Sequence, residues 1–161
     1  MNICIATSSF PANPEDQAHA PFLIDAIASL RRAGHDVSVL TQAREVEQRA
    51  PDGVDVTWFP WRQLSGRLAE KSFATPSAAR SAASLIWNGT RRVAERRRAG
   101  VDVFLCAWVI PSGLYVYLDQ VFQRGDTPYV LWALGSDVNK YKHNPLVRQA
   151  LRLILRRAAH V

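Results

Sequence analysis

Residues 22–40 read FLIDAIASLRRAGHDVSVL and join two hydrophobic periodicities that belong to different structural elements. The first half repeats apolar residues at helical spacing and ends in Arg31 and Arg32, where the last turn of a helix favours cations. Gly34 is typical of the position just after a helix. The apolar run from Val37 to Leu40 is typical of a buried strand. The stretch therefore predicts a helix that leads directly into a strand.

The same alternation extends over the whole chain, which has 161 residues and is 48% hydrophobic. Strand-like apolar runs lie at residues 3–6, 37–40, 54–59, 101–106 and 128–134. Helical patterns lie at residues 22–32, 76–98 and 114–121 and from Pro145 onward, with Asn88-Gly89 as an expected interruption of the second. Apolar strands alternating with helices indicate an α/β fold: a doubly wound, mainly parallel Rossmann-like sheet with helices on both faces.

Composition and length predict a single domain over residues 1–161. A further strand is expected after the last helix, so we interpret the chain as the N-terminal part of a longer protein. Cys4 and Cys106 fall in predicted strands and are expected to be buried, reduced thiols. The start of the chain has no basic segment and only a short apolar run, unlike a signal peptide. The longest uncharged stretch is shorter than the roughly 20 apolar residues of a membrane-spanning helix. These features predict a cytoplasmic protein.

Glycine spacing excludes several classes of enzyme. No two of the eight glycines are closer than ten positions. The chain therefore lacks the glycine-rich loops of dinucleotide dehydrogenases and P-loop NTPases, and the nucleophile elbow of serine hydrolases. The four histidines show no metal-ligand spacing, and no Asp-x-Asp pair is present. We therefore predict no metal site.

Candidate ligand-binding residues follow three of the predicted strands. Ligands of an open parallel sheet bind beyond the carboxyl ends of its strands. The residues at these ends are Ser8, Ser9 and Phe10 after the first strand, Trp108, Ser112 and Gly113 after the fourth, and Gly135, Ser136 and Asp137 after the fifth.

Each of these ends has a functional and a structural interpretation. The serines after the first strand can meet a phosphate or a sugar, or form an ordinary polar turn. Trp108 offers a flat apolar face to a sugar ring, or belongs to the core. Ser112 and Gly113 can open a helix whose N–H groups favour an anion, or simply form the turn that caps it. Asp137 can accept hydrogen bonds from sugar hydroxyls, or cap a short helix.

The positive charge, +6 in total, is concentrated in two segments. Residues 80–99 hold six arginines and one acid, and residues 140–157 hold two lysines and four arginines with no acid. In the last predicted helix, Arg148, Arg152 and Arg156 follow each other at intervals of four. They can lie on an anionic membrane surface or form a solvated helix face. No recognised nucleic-acid-binding module is present, so nucleic acid is not an expected partner.

The order and spacing of several short motifs resemble the N-terminal domain of the retaining GT-B glycosyltransferases of family four, also called group 1. The passage from Leu30 through Gly34-His35-Asp36-Val37 is similar to the family's helix-to-strand motif L-x-x-x-G-H-x-V-x-V-L. The run Trp108 to Gly113 resembles W-x-x-P-S-G. Residues 135–139 resemble G-S-D-V-N, and residues 157–161 resemble R-A-D-x-V.

The sequence departs from the family pattern at three places. Many members carry glycines in the first loop, where this chain reads Gln17-Ala18-His19-Ala20, and we count His19 among the residues of the cleft. Ala107 and Leu134 stand where many members have histidine. The roles of those family histidines do not carry over to this chain.

The resemblance implies the acceptor-binding domain of an enzyme that moves a sugar from a nucleotide sugar to a glycan or lipid-linked acceptor, with retention. A C-terminal domain, absent from this chain, would bind the donor, so the chain alone is expected to be inactive. No cofactor or metal is implied. Such enzymes build polysaccharides or glycolipids at the inner face of the cell membrane. Two alternatives stay open: a sugar-nucleotide epimerase of similar fold, and a non-catalytic ligand-binding module or half of a split transferase.

Overall fold

A computed structural model describes residues 1–51, 53–62, 75–135 and 144–161. The strands are β1 (Asn2–Thr7), β2 (Asp36–Gln42), β3 (Asp55–Phe59), β4 (Val103–Ala107) and β5 (Tyr129–Trp132). The helices are α1 (Phe22–Arg32), α2 (Pro76–Arg98), α3 (Leu114–Phe122) and α4 (Pro145–Arg157). A kinked turn, Val109–Gly113, in which Ile110 has an extended backbone, joins β4 to α3. The predicted strands and helices are confirmed, with shifts of a few residues at their ends.

The five strands form one parallel sheet in the order β3-β2-β1-β4-β5. Cys4 in the central strand β1 pairs with Ser38 on one side and with Phe104 on the other. After α4 the chain returns to the edge of the sheet, where His160 forms a parallel bridge with Val130. This is the doubly wound, Rossmann-like arrangement that the alternation of strands and helices predicts.

Alternate residues of β1 divide the core between the two faces of the sheet. Ile3 and Ile5 belong to a cluster with Leu23 and Ile27 of α1. Cys4 and Ala6 belong to the cluster on the other face. That second cluster takes in Leu85 and Val93 of α2, Tyr115 and Val116 of α3, and Leu151 and Ile154 of α4. The prediction of helices on both faces is therefore confirmed, with α1 on one face and the other three on the opposite face. Cys4 and Cys106 are buried and free, as predicted.

The expected interruption of α2 at Asn88-Gly89 is wrong, since the helix runs unbroken through both residues. Asn88 donates its side-chain amide to the carbonyl of Ser84, one turn earlier. A Cβ on Gly89 would lie 2.8 Å from the ring of Tyr115 on α3. Glycine at this position therefore permits the close approach of two helices and does not end either of them.

Candidate functional site

The strand order places a crevice at the carboxyl end of the sheet. Chain connections leave β1 toward β2 on one side and leave β4 toward β5 on the other, so the direction of winding reverses between β1 and β4. Ligands of doubly wound sheets bind at such a reversal. Thr7 pairs with Ala107 at the last step of the β1–β4 register. The loop from Ser8 and the turn from Trp108 therefore leave adjacent strands at the same level.

Hydrogen bonds to neighbouring residues hold the first part of the loop after β1. The Thr7 hydroxyl donates to the Ser9 carbonyl at 2.8 Å and accepts from the Ser9 N–H at 3.2 Å. Gln42, at the end of β2, donates to the Ser8 carbonyl. Ser8 and Ser9 are half-buried, whereas the Phe10 side chain is only 2% exposed and lies in the core. The serines thus border the crevice, and Phe10 anchors the loop beneath it.

Asp16 organises the rest of this loop. Its carboxylate accepts the backbone N–H groups of Ala12 and Ala18, the guanidinium of Arg44 and Nδ1 of His19, the last at 2.8 Å. Burial disfavours the ionised carboxylate, but these hydrogen bonds outweigh it and hold the pKa of Asp16 well below its usual range. The charged Asp16 favours the tautomer of His19 that keeps its proton on Nδ1. Nε2 of His19 is then free to accept a hydrogen bond.

His19 has a side chain that is 43% exposed, so a ligand can reach it. His19 is among the cleft residues predicted from the sequence, whereas its partners Asp16 and Arg44 are not. The signal for Asp16 is its spacing of three residues from His19. The signal for Arg44 is its position just after β2, because β2 lies next to β1 and its carboxyl end reaches the same loop.

Three aromatic rings gather across the crevice. The Phe22 ring centroid at the start of α1 lies 6.4 Å from that of Trp108 and 5.4 Å from that of Trp132. The backbone N–H of Trp108 donates a hydrogen bond to the backbone carbonyl of Trp132 at 3.1 Å. Trp108 is half-buried and has a φ of 72°, which a large side chain rarely adopts. Such backbone conformations cluster at functional sites, where the surrounding structure maintains them.

Ser112 and Gly113 lie inside the protein. A Cβ on Gly113 would come within 2.6 Å of Leu131 and 3.2 Å of Ile154. Ser112 is fully buried, and its hydroxyl has no hydrogen-bond partner within the described part of the chain. These two residues lie where the turn after β4 packs against β5 and α4. Of the residues predicted after β4, Trp108 is therefore the one at the crevice surface.

Gly135 lies beyond β5, is half-buried and has a φ of 87°. This left-handed conformation suits glycine and lets the chain turn at the sheet edge. Ser136 and Asp137 lie outside the described residues, so their predicted contact with a sugar hydroxyl stays a prediction.

Arg148, Arg152 and Arg156 of α4 are exposed, as predicted for a surface face, and so is the fourth arginine of this helix, Arg157. Leu151 and Ile154 of the same helix are buried, and Val147 and Ala158 are half-buried, as the predicted apolar stripe requires. Among the described helices, none combines the length and the apolar character that a membrane crossing requires. Within the described ranges, no three His, Cys, Asp or Glu side chains come together in a way that could hold a metal ion.

The architecture defines a Rossmann-like domain with a ligand crevice at the reversal of its winding. The sequence model of the family "Glycosyl transferase 4-like domain" matches residues 20–161. The chain therefore belongs to this family, and the resemblance to the N-terminal domain of GT-B glycosyltransferases is confirmed.

The structure of MurG from Acinetobacter baumannii aligns with this chain at a TM-score of 0.48 and 12% sequence identity. The alignment covers 81% of this chain and 34% of that one, so the chain spans about a third of the length of MurG. No curated protein sequence matches the chain.

Proposed function

We propose that this chain is the acceptor-binding domain of a glycosyltransferase that acts on a glycan or lipid-linked acceptor with retention of anomeric configuration. Membership of the glycosyl transferase 4-like family supports the class of reaction. One structural observation carries the location of the site. The aromatic group of Phe22, Trp108 and Trp132 and the loop that bears His19 lie at the reversal of winding between β1 and β4.

The reaction exchanges one bond at the anomeric carbon of the donor. The bond to the diphosphate oxygen of the nucleotide sugar breaks, and its electron pair leaves with the nucleoside diphosphate. A bond to the acceptor oxygen forms on the same face of the sugar, and the hydroxyl proton passes to the diphosphate. The domain contributes binding and orientation, which lower the barrier by holding the acceptor hydroxyl in place.

Two groups of side chains have chemistry suited to an acceptor sugar. Trp108 offers an apolar ring to the C–H face of a pyranose, with Phe22 packed beside it. Nε2 of His19 accepts a hydrogen bond from a sugar hydroxyl, since Nδ1 is already bonded to Asp16. Ser8 and Ser9 border the same loop. Asp137 is proposed as a further acceptor of hydroxyl hydrogen bonds.

The donor half of the site is proposed to belong to a C-terminal domain of the same protein. The 161-residue chain is then expected to bind an acceptor without transferring a sugar. We place the enzyme in the cytoplasm at the inner face of the membrane, in polysaccharide or glycolipid synthesis. Arg148, Arg152 and Arg156 are proposed to be drawn to anionic phospholipid there, since all three are exposed.

Acceptor binding is tested by titrating the chain with a panel of oligosaccharides and polyprenyl-phosphate-linked sugars. Trp108→Ala should weaken binding of the preferred compound by about tenfold, as expected for one aromatic contact. Trp87→Ala is the matched control, because Trp87 lies on the exposed face of α2, away from the crevice. Equal loss in both variants, or no binding at all, would remove the acceptor site from this domain.

The class of reaction is tested on the full translation product of the gene. Release of nucleoside diphosphate together with a glycosylated acceptor supports the proposal, and the configuration of the new bond reports retention. Acceptor binding without any transfer would favour the non-catalytic module or half-transferase. Conversion of one nucleotide sugar into its epimer would favour the epimerase.

A further inference from the structure

The loop between β1 and α1 is held by the segment that follows β2. Carbonyl groups at three alternate positions of the loop accept hydrogen bonds from this segment. The acceptors are the carbonyls of Ser8, Phe10 and Ala12, and the donors are, in the same order, the Gln42 side chain, the Arg44 guanidinium and the backbone N–H of Arg49. Residues 8–12 of the loop are therefore fixed in place by β2 and its continuation.

The segment itself is anchored in the core just before Arg44. The backbone N–H of Ala43 donates to the carbonyl of Phe59, at the end of β3, at 2.8 Å. The Trp61 indole N–H donates to the carbonyl of Ala43, also at 2.8 Å. Phe59 is fully buried. The sheet and its core thus determine where Arg44 lies, independently of the loop that Arg44 contacts.

The two carboxylate oxygens of Asp16 serve different parts of the loop. Oδ2 accepts the backbone N–H of Ala12 at 3.0 Å and the guanidinium of Arg44. Oδ1 accepts the backbone N–H of Ala18 at 3.2 Å and Nδ1 of His19 at 2.8 Å. One oxygen therefore contacts the fixed beginning of the loop, and the other contacts the part that presents His19.

A single nitrogen of Arg44 joins these parts. Nη2 donates both to the Phe10 carbonyl and to Oδ2 of Asp16. The Asp16 side chain is 10% exposed and the Arg44 side chain is 26% exposed, so water screens the pair only in part. Hydrogen bonds between charged groups are the stronger and more directional ones. Arg44 therefore fixes the rotation of the Asp16 carboxylate, and a carboxylate rotated differently would not meet Nδ1 of His19.

We propose that Arg44 is a positioning residue of the acceptor site, which acts through Asp16 to fix His19 with Nε2 as a hydrogen-bond acceptor. This role rests on the proposed function of the chain as an acceptor-binding domain. A neutral His19 whose Nδ1 proton is bound to Asp16 offers only a lone pair at Nε2. A sugar hydroxyl has a proton to give to this lone pair, whereas the ionised carboxylate of a uronate has none. The site therefore selects a neutral sugar of the acceptor against an anionic one.

The charge of the two loops favours the same selection. The chain as a whole carries a net charge of +6, but residues 8–21 and 43–51 together hold four acids and two arginines. Glu15, Glu45 and Glu47 are exposed in these loops, while Arg44 is paired with Asp16. The exposed carboxylates add repulsion against an anionic sugar and leave a neutral one unaffected.

Nitrogen-15 NMR of the ligand-free chain tests the positioning step. At about pH 8 a histidine is ordinarily neutral, so its two ring nitrogens report the tautomer. Nε2 of His19 should show the downfield shift of an unprotonated nitrogen, and the signal is assigned by its absence in His19→Gln. Arg44→Gln should lose this signature and give the averaged shifts of exchanging tautomers. Arg44→Lys should restore it, since one nitrogen makes both bonds of the Arg44 side chain.

Titration with oligosaccharides at the same pH tests the recognition step. The preferred neutral oligosaccharide should bind Arg44→Gln about fivefold more weakly than the unchanged chain, and Arg44→Lys should recover most of this loss. The same compound with its terminal sugar oxidised to a uronate should bind the unchanged chain at least about tenfold more weakly than the neutral form does.

Arg49→Gln is the matched control for both measurements. It removes an exposed cation from the same segment but keeps the backbone N–H that holds the Ala12 carbonyl. This variant should match the unchanged chain in its His19 signals and in its affinity. Circular dichroism should show that every variant is folded.

Two results would overturn the positioning role: an unaltered His19 tautomer in folded Arg44→Gln, or an equal change in Arg49→Gln. Equal affinity for the neutral oligosaccharide and its uronate would overturn the selection. Failure of every oligosaccharide to bind would remove the proposed acceptor function and the selection with it. The NMR comparison needs no sugar, so it would still decide whether Arg44 positions His19.

Discussion

Arg97 of α2 donates two hydrogen bonds to Asp119 of α3, with distances of 2.8 Å from Nε and 3.3 Å from a terminal nitrogen. Asp119 is only 1% exposed, and the Arg97 side chain is 17% exposed. The hydrogen bonds that Arg97 donates to the Asp119 carboxylate raise the pKa of Arg97. This pair joins α2 to α3, which pack on the same face of the sheet.

Replacing Asp119 by Asn should destabilise the protein by about 3 kcal/mol, since it leaves the charge of Arg97 in a mostly buried place without its counterion. Urea unfolding measures the change. The double variant Arg97→Met/Asp119→Leu should recover much of the loss, because no uncompensated charge remains. Glu47→Gln, an exposed position, is the matched control and should change stability little. A loss in Asp119→Asn no larger than in Glu47→Gln would contradict this account.

Gly89→Ala should lower the melting temperature, although alanine is the better helix former. The new methyl group would lie 2.8 Å from the Tyr115 ring, and overpacking of this kind costs about 1–3 kcal/mol. That cost outweighs the gain in helix propensity of about 1 kcal/mol. Tyr115→Leu in the same chain should relieve the clash. The exposed Ala83→Gly is the control for propensity alone. A stabilised Gly89→Ala variant would show that the two helices separate freely.

The two thiols should be inert in the native protein and titrate as two free groups after unfolding. Burial raises the pKa of Cys4 to about 11 and raises the pKa of Cys106 still further. The folded state therefore binds more protons than the unfolded state between about pH 9 and pH 11, and stability falls as pH rises through that range. The Cys4 contribution to the loss is about 1 kcal/mol by about pH 10.

Urea unfolding at about pH 8 and about pH 10 checks this slope. The Cys4→Ala variant is the comparison, and it should lose less stability between the two values than the unchanged chain. An equal loss of stability in both chains would mean that groups other than Cys4 cause the fall in stability at alkaline pH. Detection of a disulfide in the native protein would contradict the buried, separate thiols.

Asp16→Asn should lower stability by about 1.5–3 kcal/mol, as expected for a charged hydrogen-bond acceptor whose side chain is only 10% exposed. The pKa of Asp16 lies below its usual range, so its stabilising effect is present above about pH 4 and is lost only as the solution becomes strongly acidic. The acid limb of the stability curve should therefore flatten in Asp16→Asn. An unchanged acid limb would mean that Arg44 and His19 do not hold the carboxylate as the geometry indicates.

His19→Ala should differ from Asp16→Asn, because it should affect acceptor binding more than stability. Because His19 is partly exposed, its replacement by alanine should change the stability of the protein little. The loss of one hydrogen bond to the acceptor should weaken acceptor binding by about tenfold. Titration with the preferred oligosaccharide measures the affinity, and Gln17→Ala, an exposed neighbour in the same loop, is the control. Unchanged affinity in His19→Ala would leave Trp108 as the remaining tested contact.

The order of elements could be predicted from sequence because hydrophobic periodicity is local. Residues 22–40 contain a helix and a strand whose patterns are complete within the stretch itself. The same holds for β1 and for α4, where the positions of buried Leu151 and Ile154 follow from spacing. The crevice could be placed only approximately, because a residue after a strand can face the ligand or the core. Ser9 borders the crevice, whereas its neighbour Phe10 is buried.

The sequence by itself determined the parallel Rossmann-like sheet and the resemblance to a glycosyltransferase domain, since both depend on local patterns and their order. The tertiary structure decided which charges serve the fold and which face solvent. Arg97 pairs with Asp119, which is 22 residues away in sequence, and Arg96 pairs with Asp55. The neighbouring Arg98 is exposed. Arg44 reaches Asp16 across 28 residues and thereby orients His19. The role of a charged side chain depends on what lies within a few ångströms of it, and the packing of distant segments determines those neighbours.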